Sequence, residues 1–468
     1  MKNGYTTCCN GFLLCALLAA TGAAQAQSTA ATAAPAAPAD DGLTFHGITL
    51  YGTVDLGLQY QTHGAPISDF YPAGSADIVQ KNSNRSVTGI TPSNLSQSRI
   101  GLQGLEPIGG GWSAVFKLET FFNPQSGELS DGLKSLTQNN GRSVASGTQN
   151  TNLDSSVAGQ AFQQSYVGIS SKLYGTFTFG RQNTLLADGI AKYDPNYASQ
   201  AFSLIGLSGT TAGAGDTEDR RIDGTLKYVA TYAGIAHFGA MFKPNTGNGL
   251  TDSLFQVNVG GEYAGASVDA YYVKRNDAIG AASLSAAQVA LLPGLGYSSN
   301  NSLAGTISDN TSFSIMALYN FGAPKIFAGY EHISFANPTT PLPVGHDIIG
   351  GYVLAFVNNA AFPNNKILQV YWAGVKYAVT PKVELTAAYY GNKQNSYGTG
   401  AVAGCSTAVA GTCSGTLDAF SFDAVWRLTK HFDTYAGLMY TGVHGGLANG
   451  YVFHTTDMNP TIGVRFTF

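Results

Sequence analysis

The feature that most constrains this chain is an apolar–polar alternation of period two that returns from one end to the other. At 48–60, Ile48, Leu50, Val54, Leu56, Leu58 and Tyr60 share one face, while Thr49, Tyr51, Thr53, Asp55, Gly57 and Gln59 share the other. At 112–119, Trp112, Ala114, Phe116 and Leu118 lie opposite Ser113, Val115, Lys117 and Glu119. At 420–427, Phe420, Phe422, Ala424 and Trp426 lie opposite Ser421, Asp423, Val425 and Arg427. The last residues repeat it, with Ile462, Val464, Phe466 and Phe468 set against Gly463, Arg465 and Thr467. Successive side chains of a strand point to opposite sides, so each stretch reads as a strand with one apolar and one polar face. Sixteen such segments can be placed, near 47–61, 95–106, 111–122, 161–170, 174–182, 219–232, 235–243, 252–263, 267–275, 311–321, 325–335, 367–378, 382–394, 417–427, 431–443 and 459–468. Their length suits a tilted strand crossing a bilayer, about 9–11 residues or slightly more.

The connections alternate as well. Short turns stand at Pro107–Gly111, Ser170–Gly175, Tyr232–Gly234, Tyr263–Ala266, Phe321–Pro324, Ala378–Lys382 and Leu428–His431. Between them run long Gly/Ser/Asn-rich segments, among them 62–94, 123–160, 183–218, 276–309, 336–366, 396–416 and 444–458. Short turns at one end and long loops at the other are the asymmetry of membrane barrels.

Composition decides between lipid and water. Charged residues make up 11% of the chain, against about 25% in an ordinary soluble protein. A soluble sandwich of this many strands would need a heavily charged outside; a closed barrel in lipid pairs every backbone group and needs none. Mean hydropathy is +0.01, and past residue 26 no apolar run approaches the 18 or so residues of a membrane helix. The expected fold is all-β: a 16-stranded antiparallel transmembrane barrel with short periplasmic turns and long extracellular loops, occupying 45–468.

The first 26 residues carry a single charge, Lys2, then an apolar stretch from Gly11 to Ala20 and a small-x-small Ala24-Gln25-Ala26. That is the pattern of a secretory signal peptide. Residues 27–44 are Ala-, Pro- and Thr-rich and read as a disordered lead-in. Of five cysteines, Cys8, Cys9 and Cys15 lie in the leader. Cys405 and Cys413 remain, close together in a small-residue loop of an exported chain, and read as a disulfide. A metal pair would want a His, Asp or Glu between or beside them, and none is there.

With the strands placed, the sequence resembles the trimeric general-diffusion porins of Gram-negative outer membranes, in particular their neisserial and β-proteobacterial branch. G-I-T-L-Y-G-T-V-D at 47–55 is similar to that family's first strand, and S-R-I-G-L-Q-G-L-E-P-I-G-G-G-W-S-A-V-F-K-L-E at 98–119 to its second and third. Q-Q-S-Y-V-G-I-S at 163–170 and Y-G-T-F-T-F-G-R-Q at 174–182 match its fourth and fifth, and R-L-T-K-H-F-D-T-Y-A-G-L-M-Y with the final G-V-R-F-T-F its last hairpins. The match spans about 45–468 and is weakest in the long loops and in 276–366.

The resemblance implies a homotrimer in outer-membrane lipid that passes small hydrophilic solutes and ions by passive diffusion. It implies no cofactor, metal or nucleic acid. It also implies that Phe466 and Phe468 form a terminal signal for the barrel-insertion machinery, and that the last strand closes on the first. It makes 183–218 a loop folded into the barrel, whose acidic residues are Asp188, Asp194, Asp216 and Glu218. Phe202, Leu204 and Ile205 would anchor it to the wall. Facing it the family carries a basic cluster, which Arg99 and Arg181 match by motif. Arg99 points inward by phase, since Ile100 and Leu102 take the other face; Lys117 is inward by alternation. Arg221, Lys227 and Arg465 are further candidates, with Arg275. Arg181 shares the phase of Phe177 and Phe179, which leaves its direction open. Gln163 stands where many relatives have arginine. Opposed charges across a narrow waist focus a transverse field and set ion preference.

Catalytic signatures are missing from the sequence: no G-x-S-x-G, H-E-x-x-H or phosphate-binding glycine loop occurs, and the eight histidines, His332 and His431 among them, are scattered singly. A substrate-specific channel on the same barrel, or a non-transporting surface barrel acting as adhesin or enzyme, are the competing readings. The apolar A-A-Q-V-A-L-L-P-G-L at 286–295 is odd for a loop exposed to water.

Overall fold

The computed structural model describes residues 43–64, 67–70, 79, 81, 84–142, 159–205, 220–245, 253–405 and 411–468. The expected signal peptide, nearly all of the expected lead-in, Asp216 and Glu218 lie outside the described residues.

Sixteen strands run up and down: β1 (Ile48–Gln61), β2 in two pieces (Val87–Pro92 and Arg99–Gly109), β3 (Trp112–Phe121), β4 (Gln164–Ser171), β5 (Gly175–Asn183), β6 (Arg221–Tyr232), β7 (Ala236–Lys243) and β8 (Leu254–Tyr263). Then come β9 (Ala266–Ala282), β10 (Ser302–Asn320), β11 (Pro324–Ala336), β12 (Lys366–Thr380), β13 (Val383–Gln394), β14 (Gly415–Arg427), β15 (Phe432–Gly445) and β16 (Thr456–Thr467). Each pairs antiparallel with its neighbours in sequence, and β16 closes on β1 with Val54 opposite Phe466 and Leu58 opposite Ile462. Phe468 sits in this closing ladder: its amide donates to the Gly52 carbonyl at 3.1 Å and its carbonyl accepts from Gly52 at 2.9 Å. No sheet edge is left along the seam, which is what backbone in hydrocarbon requires. No helix among the described residues is long and apolar enough to cross a membrane.

The alternation sorts into an outside and an inside. Phe177, Phe179, Phe420, Phe422, Trp426, Ile462 and Val464 are exposed on the outer surface. Thr176, Thr178, Ser421, Asp423 and Thr461, one residue out of phase with them, are buried within. Taking each large outward side chain out of water into lipid stabilises by about 1.5–3 kcal/mol. Aromatic residues gather beside the short turns, where Trp112 and Tyr174 stack at 5.6 Å and Tyr319 meets Phe321 at 4.3 Å. Such rings suit the boundary between hydrocarbon and water.

The loop end is more structured than the composition of 276–309 and 336–366 suggests. β9 and β10 overshoot the barrel, still paired from Ala278–Ser308 to Ala282–Ala304. Tyr352–Asn358 adds alongside β10 in parallel, and Asp347–Ile349 pairs with it in turn. Helix α1 (Gly132–Thr137) packs Leu133 and Leu136 against Ile279, Leu303, Ile307 and Leu354. The Tyr352 hydroxyl donates to Asp131, the N-cap of α1, at 2.7 Å. The apolar 286–295 segment is helix α3 (Ala286–Leu295), opened by a Ser285–Gln288 capping box and closed by Gly296 in the left-handed region. It buries Leu292 with Leu284 and Ala355. Small residues here, which read as loop, let extra strands and two helices stack closely.

Candidate functional site

The bore is shaped by residues 184–205, which leave β5 and run across the inside. Thr184 caps helix α2 (Leu185–Tyr193) through its hydroxyl and the Ala187 amide. Five wall strands then supply polar anchors. The Leu185 amide donates to Gln256 on β8 at 2.9 Å, and the Tyr193 hydroxyl bonds Ser267 on β9 at 2.7 Å and also reaches Asp269. The Trp372 indole on β12 donates to the Tyr193 carbonyl at 3.0 Å, and the Tyr390 hydroxyl on β13 to Asp194 at 2.7 Å. Asn196 donates to Ser421 on β14 at 3.0 Å. The segment ends at the break in β2, where the Ala201 amide and Ser199 hydroxyl both donate to the Asn94 carbonyl.

Apolar packing fills the gaps between these anchors. Leu186, Ile190, Tyr193, Phe202, Leu204 and Ile205 are fully buried. Phe202 meets Tyr435 on β15 edge-on at 6.3 Å. Asp55 holds the break in β2, accepting the Leu95 and Ser96 amides and the Tyr435 hydroxyl.

The opposite wall, β1 to β6, carries a cluster of charges. Glu119 is its centre: it accepts from Tyr51 at 2.9 Å and Gln164 at 2.7 Å, with Lys117 at 3.4 Å and Arg99 at 3.7 Å. Arg221 lies over the Phe121 ring at 4.4 Å. Lys227 pairs with Asp188 of α2 at 2.5 Å and donates to the Asn183 carbonyl at 3.0 Å, so one ion pair links the wall to the crossing segment. The Arg99 side chain is the most open of these cations, at 41% exposed.

Arg99, Lys117, Arg221 and Lys227 thus come together on one wall, with Asp188 of α2 set against Lys227. Arg181 does not join them: a bulge follows Gly180, and its guanidinium pairs with Asp223 at 2.5 Å and reaches Gln163 at 3.4 Å. Its side chain is 10% exposed, unlike Phe177 and Phe179 on the outer face. Arg465 points inward but is held two-pronged by Asp433, with Ser96 at 3.4 Å. Asp194 is a correction of another kind. Its carboxylate is fully buried and accepts from Tyr390 and the Asn196 and Ala198 amides, so it ties the segment down and presents no charge to the bore. Burial pushes its carboxyl above the usual range, while those donors pull it back.

Glu119 is absent from the sequence-derived site, although the alternation at 112–119 puts it on the Lys117 face. The receiving residues Trp372, Tyr390 and Tyr435 were missed for another reason: a lone aromatic on an inward phase carries no local sign of what covers it. Cys405 and Cys413 are joined in a disulfide. Phe466 is exposed on the outer face, its ring 6.2 Å from that of Phe468. Among the described residues no group of three or more His, Cys, Asp or Glu side chains could hold a metal.

A closed barrel of sixteen strands with a segment folded inside is a form that comparison can test. The family model described as Gram-negative porin matches residues 14–445. This chain belongs to that family. The porin is 29% identical over 197 residues to an outer membrane porin protein of Bordetella pertussis, a stretch covering 42% of this chain and 39% of that relative. It is 25% identical over 323 residues to outer membrane porin protein 32 of Delftia acidovorans, covering 68% of each. The stretch matched to the Bordetella relative is thus well under two thirds of that protein's length. In fold the porin is similar to the anion-selective porin from Comamonas acidovorans, with a TM-score of 0.55 at 16% identity over 90% of this chain and 99% of the other. The trimer form of OmpT, an outer membrane protein of Vibrio cholerae, gives a TM-score of 0.54 at 14% identity over the same shares. The porin is an outer-membrane protein that crosses with its strands.

Proposed function

We propose that this porin forms a water-filled channel for the passive diffusion of small hydrophilic solutes and ions, with the loop end facing out of the cell. One observation carries the reading. The 184–205 segment lies packed along β8–β15, while the charged wall of β1–β6 keeps Arg99 open to water. Arg99, Lys117, Arg221 and Lys227 form the basic wall of the waist, with Glu119 and Asp188 as their carboxylates. In that wall cluster, four cations against two carboxylates favour a preference for anions. The fold neighbour described as an anion-selective porin fits that sign.

In this reading the assembly is a homotrimer, residues 1–26 are a leader, and Phe466 and Phe468 form the signal read during insertion. Catalysis has no part in it.

The test is planar-bilayer conductance of purified, refolded protein, with the reversal potential taken in a salt gradient. Ohmic current in triplet steps, with a reversal potential of anionic sign, is expected. Correctly folded, heat-modifiable protein that carries no current would overturn the channel.

A further inference from the structure

Beyond α2 the crossing segment turns through Pro195, and Tyr197 and Ala198 both take left-handed backbone at φ 51° and 59°. Two successive non-glycine residues there are costly and persist only where the surroundings impose them. The turn presents the Tyr197 ring to the bore, 44% exposed. Beneath it the Lys376 ammonium, inward on β12, lies 4.4 Å from the ring centroid. Phe327 meets the ring edge-on at 6.0 Å.

Lys376 is held by Glu384 on β13 at 3.1 Å, and Glu384 is shared with Arg427 at the turn end of β14, 3.3 Å away. The Arg427 side chain is 48% exposed. Lys325 adds its field to the same carboxylate. Asp423 is buried beside Lys376 and does not reach the surface. The surface offered to a solute is therefore an open aromatic ring beside an open guanidinium.

We propose that Tyr197, Lys376 and Arg427 form a solute subsite on the turn-end side of the crossing segment, selective for small aromatic carboxylates. Arg427 takes the carboxylate, the geometry for which a guanidinium is suited. The Tyr197 ring stacks on the planar ring of the solute. Lys376 fixes the tyrosine from below through a cation–π contact and draws density from its face. Glu384 anchors both cations and is the positioning residue. An aliphatic carboxylate meets the charge but not the ring.

This subsite rests on the channel reading, and single-channel recording separates the two. Benzoate, cyclohexanecarboxylate and acetate are added to protein conducting in potassium chloride. Benzoate is expected to reduce the current in a saturating way, at concentrations about two- to fivefold below cyclohexanecarboxylate, and acetate only by its bulk contribution. Tyr197→Leu should abolish the difference between benzoate and cyclohexanecarboxylate; Tyr197→Phe should keep it; Arg427→Gln should weaken both. Heat-modifiable mobility on a gel reports folding of each variant. No saturation by benzoate in the wild type, or benzoate preference unchanged in Tyr197→Leu, would overturn the subsite while potassium chloride current still stood. Absence of any current would overturn the channel itself.

Discussion

The two halves of the bore differ in what covers them. From β1 to β6 the inward residues are polar and paired with one another across the wall: Tyr51, Arg99, Lys117, Glu119, Gln164 and Lys227. From β11 to β15 the inward phase carries Phe327, Ile333, Val370, Trp372, Tyr390, Met439 and Val443, all buried. Their inward face is thus largely apolar, interrupted by Glu331, Lys376, Glu384 and Asp423. One side meets lipid and the other meets the crossing segment and the loops that fold down upon it. The lesson is that a barrel's inside need not be uniformly wet. Where a loop is to be held, the wall is built like a soluble core, and where solutes are to pass, like a protein surface.

The comparison is broken most severely on the apolar side. Trp372 is buried, fills the space above Gly329, and donates to the Tyr193 carbonyl. Trp372→Ala should cost about 3–5 kcal/mol in denaturant titrations of refolded protein. It should also raise current noise as the segment loosens. On the polar side, Glu119→Gln removes the carboxylate that Arg99 and Lys117 share. A loss of about 1–3 kcal/mol and a reversal potential moved further toward anions are expected.

Arg99→Gln is milder in stability. Its side chain is 41% exposed and such pairs are worth about 0–1 kcal/mol. Its reversal potential should move toward cations, opposite in sign to Glu119→Gln. Arg181→Gln sharpens the assignment from the other side. It stands outside the cluster, paired with Asp223, so stability and ion preference should both stay near those of the wild type. A shift as large as that of Arg99→Gln would return Arg181 to the waist.

Much of the fold was legible because a membrane barrel is a local code. Alternation in each strand decides which side chain meets lipid, and the turn spacing decides which strands are neighbours. That is why the sixteen strands follow from reading the chain, while the closure at Phe468 came only with the family resemblance. The extra strands at the loop end were not legible, since Ala, Gly and Ser in 276–309 and 336–366 carry little alternation to read. Their pairing depends on Leu303 and Leu354 meeting Leu133 and Leu136 from a segment far away in sequence.

The site divides in the same way. Phase alone put Arg99 and Lys117 inside, and the bulk of Phe202, Leu204 and Ile205 marked the crossing segment as one that must be anchored. Phase could not separate Arg181, set beside a bulge and drawn to Asp223, from the cluster it matches by motif. Nor could it tell that Asp194 spends its charge on Tyr390 and two amides, or that Tyr197 is propped over Lys376. The sequence by itself determined the barrel, because lipid on one side and water on the other act on every strand separately. Only the tertiary structure decided the interior. There contacts join residues on different strands, from Lys376 and Glu384 on adjacent strands to Asn196 and Ser421, 225 positions apart, and a charge is either presented to the bore or consumed by the wall according to which partner arrives.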